Sequence, residues 1–109
     1  MTPQKRYKIV VFVPEADAEK LRVAMGDAGA GKIGNYSHCM FSLKGVGGFK
    51  PLEGAHPTIG EVGKFEEVVE ERIETVCEAD KLYAVLDAIK KTHPYEEPAT
   101  DVYQIEMFE

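Results

Sequence analysis

The residues best suited to chemistry lie in one short stretch, His93-Pro94-Tyr95-Glu96-Glu97-Pro98, which sets an imidazole, a phenol and two carboxylates between two prolines. Proline fixes its own φ and restricts the residue before it, so such a frame holds polar groups in place. An imidazole that titrates near neutral pH can ligate a metal or carry a proton. The same six residues also suit a plainer role: a turn that ends a helix, with His93 bonding open carbonyls and Glu96 and Glu97 facing water. His38 and Cys39 form a second candidate pair, both being good ligands for soft or borderline ions. Neighbouring strand residues point to opposite faces, so the pair reaches one ion only through a bulge or across a subunit boundary. Cys39 fits the apolar face and is expected in the core, as is Cys77, which leaves His38 as the candidate ligand.

Other motifs fail on context. Gly29-Ala30-Gly31-Lys32-Ile33-Gly34 matches G-x-G-x-x-G, but that fingerprint needs its glycines after a strand and before a helix, and here the order is reversed. Counted from Gly26, the run approaches a P-loop, except that Ile33 replaces the serine or threonine that would hold magnesium. A helix stop followed by a tight turn explains these glycines. His56, beside Pro57, is expected on the surface, and Glu66, Glu67, Glu70, Glu71 and Glu74 read as a solvated strand face. No Ser-His-Asp or Cys-His ordering stands out, so no catalytic residue is assigned.

The elements that must position these groups follow from periodicity. Tyr7 to Val13 is β-branched and aromatic, apolar on both faces toward its end, as a central strand requires. Ala18, Leu21, Ala24, Met25 and Ala28 recur at helical spacing over residues 16–28, and Gly29 stops the helix. A second strand is predicted from Ser37 to Leu43, with Cys39, Phe41 and Leu43 on one face and His38, Met40 and Ser42 on the other. Residues 44–64 carry six glycines with Pro51 and Pro57, and predict a long loop. Alternation returns from Phe65 to Cys77, with Val69, Ile73 and Cys77 on one face. Leu82, Val85, Leu86 and Ile89 mark a second helix over 79–91, which must end at His93 because Pro94 follows, and 99–105 reads as the last strand. The order βαββαβ has a natural α+β solution, a ferredoxin-like sandwich of one antiparallel sheet with both helices on a single face.

Bulk properties bound the function. With 109 residues, 44% hydrophobic and 29% charged, the chain is expected to form one packed domain with its core over about 7–107. A net charge of -6 argues against a nucleic-acid surface. The sequence shows no long apolar run and no signal-peptide pattern, so a cytoplasmic protein without membrane contact is expected, its two cysteines kept as thiols.

Gly29 to Cys39, Pro57-Thr58-Ile59-Gly60-Glu61-Val62-Gly63-Lys64, Arg72-Ile73-Glu74-Thr75 and His93 to Ala99 together resemble the domain inserted in the middle of the Ngg-interacting-factor-three family, over nearly the whole chain. His-Pro-Tyr-Glu-x-Pro is also similar to the CutA divalent-ion-tolerance proteins. The resemblance implies the PII-like variant of the ferredoxin-like fold and a homotrimer. It implies a free-standing insert domain without the flanking halves that hold the family's dinuclear metal site, hence a binding or regulatory module and not an enzyme. The ligand would be a divalent metal ion or a small molecule in an inter-subunit cleft lined by His38, His93, Tyr95, Glu96 and Glu97, with His38, His93 and Glu97 as the metal set. A protein or small-molecule effector would meet the Lys44 to Lys64 loop. The alternatives are a metal-dependent hydrolase of GTP-cyclohydrolase-like type and a purely structural interaction module.

Overall fold

A computed structural model describes residues 3–108. The elements are β1 (Pro3–Pro14), α1 (Ala18–Asp27), β2 (Met40–Phe49), β3 (Glu66–Glu78), α2 (Leu82–Thr92) and β4 (Thr100–Phe108), each helix entered through a single 3-10 turn. The four strands form one antiparallel sheet in the order β2-β3-β1-β4, the expected ferredoxin-like arrangement.

Parity along the strands decides what each face buries. Ile9, Val11 and Val13 of β1 and Ile73 and Cys77 of β3 share the face covered by the helices, where they meet Leu21 and Met25 of α1 and Val85 and Ile89 of α2. Each large apolar side chain taken fully from water here contributes about 1.5–3 kcal/mol. Cys77 lies in this core, as expected, and burial pushes its thiol pKa up. The last turn of α2 stops where the sequence requires it. His93 takes the extended conformation (φ -65°, ψ 136°) while its N–H still bonds the Ile89 carbonyl.

β2 departs from its expected bounds and facing. It begins at Met40 and runs to Phe49, so Gly45, Gly47 and Gly48 belong to the ladder and the long connection shrinks to residues 50–65. The face carrying Phe41 and Leu43 is the outer one: these residues are 62% and 51% exposed, and Met40 is the β2 residue that packs on the core. Cys39 is only half-buried, just ahead of β2, and is not a core residue. The alternation was legible, but both faces of β2 carry apolar residues, so parity alone could not say which one the helices cover.

β1 meets β3 only as far as Pro14 opposite Glu70, whereas the β2–β3 ladder continues to Phe49 opposite Glu66. The end of this hairpin therefore runs on as a two-stranded arm past the helices, and Val46 and Val69 on its helix-side face stay exposed. The arm helps give the fold its extents of 51 × 23 × 20 Å. Among the described residues no helix is long and apolar enough to cross a membrane.

Candidate functional site: the cleft at the root of the hairpin arm

His93 stands where α2 hands the chain to β4, 7% exposed. Its Nε2 donates to the Phe12 carbonyl at 2.7 Å, and its Nδ1 accepts the Tyr95 backbone N–H at 3.0 Å. The two bonds together require the proton on Nε2 and the lone pair on Nδ1. The imidazole thus pins the end of α2 to the end of β1 and turns the chain at Tyr95, and both ring nitrogens are engaged by the backbone.

The turn sends Tyr95 under the arm. Its ring sits 5.0 Å from the His93 ring and edge-on to Phe49 at 5.9 Å, and its hydroxyl donates to Glu70 Oε2 at 2.9 Å. The phenol pKa is pushed well up, first by burial, then by the hydrogen bond to Glu70 and that group's negative charge. Gly47 makes room for this carboxylate, because a Cβ there would overlap the Glu70 side chain. The expectation of a solvated glutamate row on β3 is therefore corrected at two positions. Glu70 is 9% exposed beneath Tyr95, and the buried Glu71 pairs with Arg22 Nη1 at 2.5 Å.

The 50–65 connection folds back over this corner. Thr58 Oγ1 donates to the Pro94 carbonyl at 2.7 Å, and the His56 backbone N–H donates to Glu96 Oε2 at 3.3 Å, with the His56 side chain exposed as expected. Between connection, arm and corner lies a cavity of about 300 Å³. Gly47, Gly48 and Phe49 form one wall and Pro51, Ala55 and Pro57 to Ile59 another, while Phe12, Glu70, Ala99 and Tyr95 to Glu97 complete it. Tyr95, Glu96 and Glu97 thus meet in one place. Phe12, Phe49, Thr58 and Glu70 join them without having been singled out from sequence. No local signal marks them: Gly47, which makes the room for Glu70, reads from sequence as one of the loop glycines of residues 44–64.

His38 belongs elsewhere. It precedes β2, whose first residue Met40 pairs with Thr75, itself opposite Ile9; Phe12 is further along β1 toward the other end of the sheet. His38 takes a left-handed conformation (φ 60°), bonds Asp27 Oδ1 through Nε2 at 3.0 Å, and has Nδ1 2.9 Å from Ser37 Oγ. Its ring lies on Gly26, where a Cβ would occupy the ring's position. Gly31 (φ 79°) sits in the same corner, bonding the Val76 carbonyl through its N–H and the Cys39 N–H through its carbonyl. The glycine run is a chain-reversing corner. Within one chain His38, His93 and Glu97 do not converge, and no three His, Cys, Asp or Glu residues among those described are grouped to hold a metal ion.

No protein-family model matches the chain. Curated relatives do: the chain is 54% identical over 100 residues to the GTP cyclohydrolase 1 type 2 homolog of Bacillus subtilis, covering 92% of this chain and 27% of that protein. The corresponding protein of Mycobacterium tuberculosis is 47% identical over 98 residues, with 90% and 26% covered. Among solved structures, a Bacillus cereus protein related to NIF3 superposes with TM-score 0.81 at 48% identity over 96% of this chain and 27% of its own. CutA of Archaeoglobus fulgidus follows the same fold at TM-score 0.62 and 19% identity, over 92% of this chain and 83% of its own. The chain spans about a quarter of the length of the curated relatives it matches. It is homologous to one small domain of the NIF3-related proteins named GTP cyclohydrolase 1 type 2 homolog, and it shares the ferredoxin-like fold of CutA and GlnK.

Proposed function

We propose that this chain is a non-enzymatic binding or regulatory module, a single domain that assembles as a homotrimer and takes a small ligand in the cleft between the hairpin arm and the Tyr95 to Glu97 corner. The cleft carries the reading. It gathers a buried carboxylate, a phenol and two further aromatic rings around a volume suited to a small molecule, in a region built by a tied-down connection.

Assembly is supported by the outer sheet face. Helices cover one side only, and Phe41, Leu43 and Tyr103 stand exposed on the other, an apolar surface of the kind subunits bury. Native mass spectrometry is expected to give three times the chain mass, and Phe41→Glu to give the single chain. A monomeric wild type would remove the trimer. For the ligand, saturable binding in the cleft that is lost when Tyr95→Ala opens it is the expected result, and absence of binding across a broad small-molecule panel would remove the module reading.

The divalent-ion form of the proposal draws on the CutA likeness. It needs neighbouring protomers to bring His38 toward Glu97, because His93 has no free nitrogen. The relatives' name carries a second reading, a metal-dependent hydrolase or GTP-cyclohydrolase-like activity, which belongs to proteins about four times as long. GTP turnover with added metal that disappears in His38→Ala would favour it. The net charge of -6 and the acidic cleft support a partner other than nucleic acid.

A further inference from the structure

We infer that the ligand class of this cleft is a small organic cation, an ammonium or guanidinium group carried on an apolar body. The inference rests on the cleft being a ligand site and specifies what it accepts.

Glu70 is the pivotal residue. It is nine-tenths buried and lines the cavity, and among the described residues the one partner bonded to its carboxylate is the uncharged Tyr95 hydroxyl. Among the described residues no lysine, arginine or histidine pairs with it: Arg22 is taken by Glu71, Arg72 by Glu74 and Lys44 by Glu15. A carboxylate held out of water without a countercharge is costly, and chains seldom keep one unless something supplies the positive charge.

The surroundings deepen the same deficit. Glu96 and Glu97 also line the cavity, and none of the lining residues is basic. Asp17 and Glu66 also lie near enough to act on the Tyr95 phenol, and each acts with a negative charge. A phosphate-bearing ligand would meet the negative charges of Glu70, Glu96 and Glu97 with no basic residue lining the cavity; Lys44 and Arg72, which line the adjoining groove with Glu70, are paired to Glu15 and Glu74. Phe49 and the Tyr95 ring supply apolar and π faces, and ring faces attract cations; the Phe12 ring already has the Arg72 guanidinium over it, 5.7 Å from its centroid. A cavity of about 300 Å³ sits at the small end of ligand sites, matching an amine of modest size in place of a long polymer segment.

The test titrates the full chain, in the assembly it forms, with 2-phenylethylammonium and separately with its anionic counterpart 3-phenylpropanoate, following amide shifts by NMR and heat by calorimetry at pH 7. The expected result is saturable binding of the ammonium, with shifts centred on Gly47, Glu70 and Tyr95, and at least tenfold tighter than the carboxylate. Glu70→Gln, which keeps an acceptor for the Tyr95 hydroxyl, is expected to weaken the ammonium at least tenfold while its melting curve stays cooperative. Should Glu70→Gln fail to fold, Glu97→Gln serves as a second variant, with a smaller loss of ammonium affinity expected. Equal or tighter binding of 3-phenylpropanoate in the cleft, or ammonium binding indifferent to these substitutions, would overturn the cation assignment and leave the ligand site standing. If neither probe binds and a broad panel of neutral, anionic and metal-ion ligands fails too, the module reading falls with it.

Discussion

Each end of the sheet has a corner containing a histidine, and the two do opposite work. At one end His93 is buried, bonds a carbonyl with one nitrogen and an N–H with the other, and ties α2 to β1 and to the turn at Tyr95. At the other, His38 is exposed, touches Asp27 and Ser37 by side chain, and occupies a backbone conformation that costs a non-glycine residue about 1–2 kcal/mol. There the joining is done by Gly31, whose N–H and carbonyl tie the end of β3 to the approach of β2. The imidazole is structural where it is enclosed and marginal where it is not, so residue type alone says little about either role.

This contrast can be broken by substitution. The largest effect is expected from Gly31→Ala, because the new Cβ must sit against the Cys39 backbone at positive φ; a loss of about 4 kcal/mol in urea denaturation combines αL strain with overpacking. A loss below about 1 kcal/mol would show that the corner is held by something else. His93→Ala comes next, at about 3 kcal/mol, since it leaves the Phe12 carbonyl and the Tyr95 N–H without their partner. If His93→Ala and His38→Ala cost the same, the contrast between the corners is wrong.

The His93 end should also respond to pH. The Tyr95 phenol has a raised folded-state pKa, so its contribution to stability is complete below the unfolded value of about 10 and is lost as pH rises through the folded value. Wild type should therefore lose stability above about pH 10 at a slope approaching 1.4 kcal/mol per pH unit from this group, and Tyr95→Phe should remove that part of the slope. Parallel curves for the two proteins would mean that the hydroxyl is not held as described. The smallest effect belongs to His38→Gly: relief of the left-handed strain, set against an exposed pair with Asp27, predicts a gain of about 0.5 kcal/mol.

Much of the fold was legible because its signals are local. The run Ile9 to Val13, the spacing of Leu82, Val85 and Ile89, and the stop imposed on His93 by Pro94 each depend on near neighbours, and the order βαββαβ admits few topologies. The extent and facing of β2 were not. Glycines at 45, 47 and 48 carry the local signature of a loop, and only pairing with β3 makes them strand. Tyr95, Glu96 and Glu97 were legible as a cluster because the chain itself places them side by side. Glu70 was hidden in a row of similar glutamates, and its burial depends on Gly47 and Tyr95, which stand far from it in sequence.

The sequence by itself therefore determined the element order, the end of α2 and the concentration of polar groups after it, since these follow from dihedral limits and periodicity within a few residues. Tertiary structure alone decided that His93 is consumed by backbone, that His38 lies toward the other end of the sheet, and that Glu70 is enclosed with no ion-pair partner among the described residues. Burial and hydrogen-bond partnership are properties of what lies across the fold, and no local pattern encodes them.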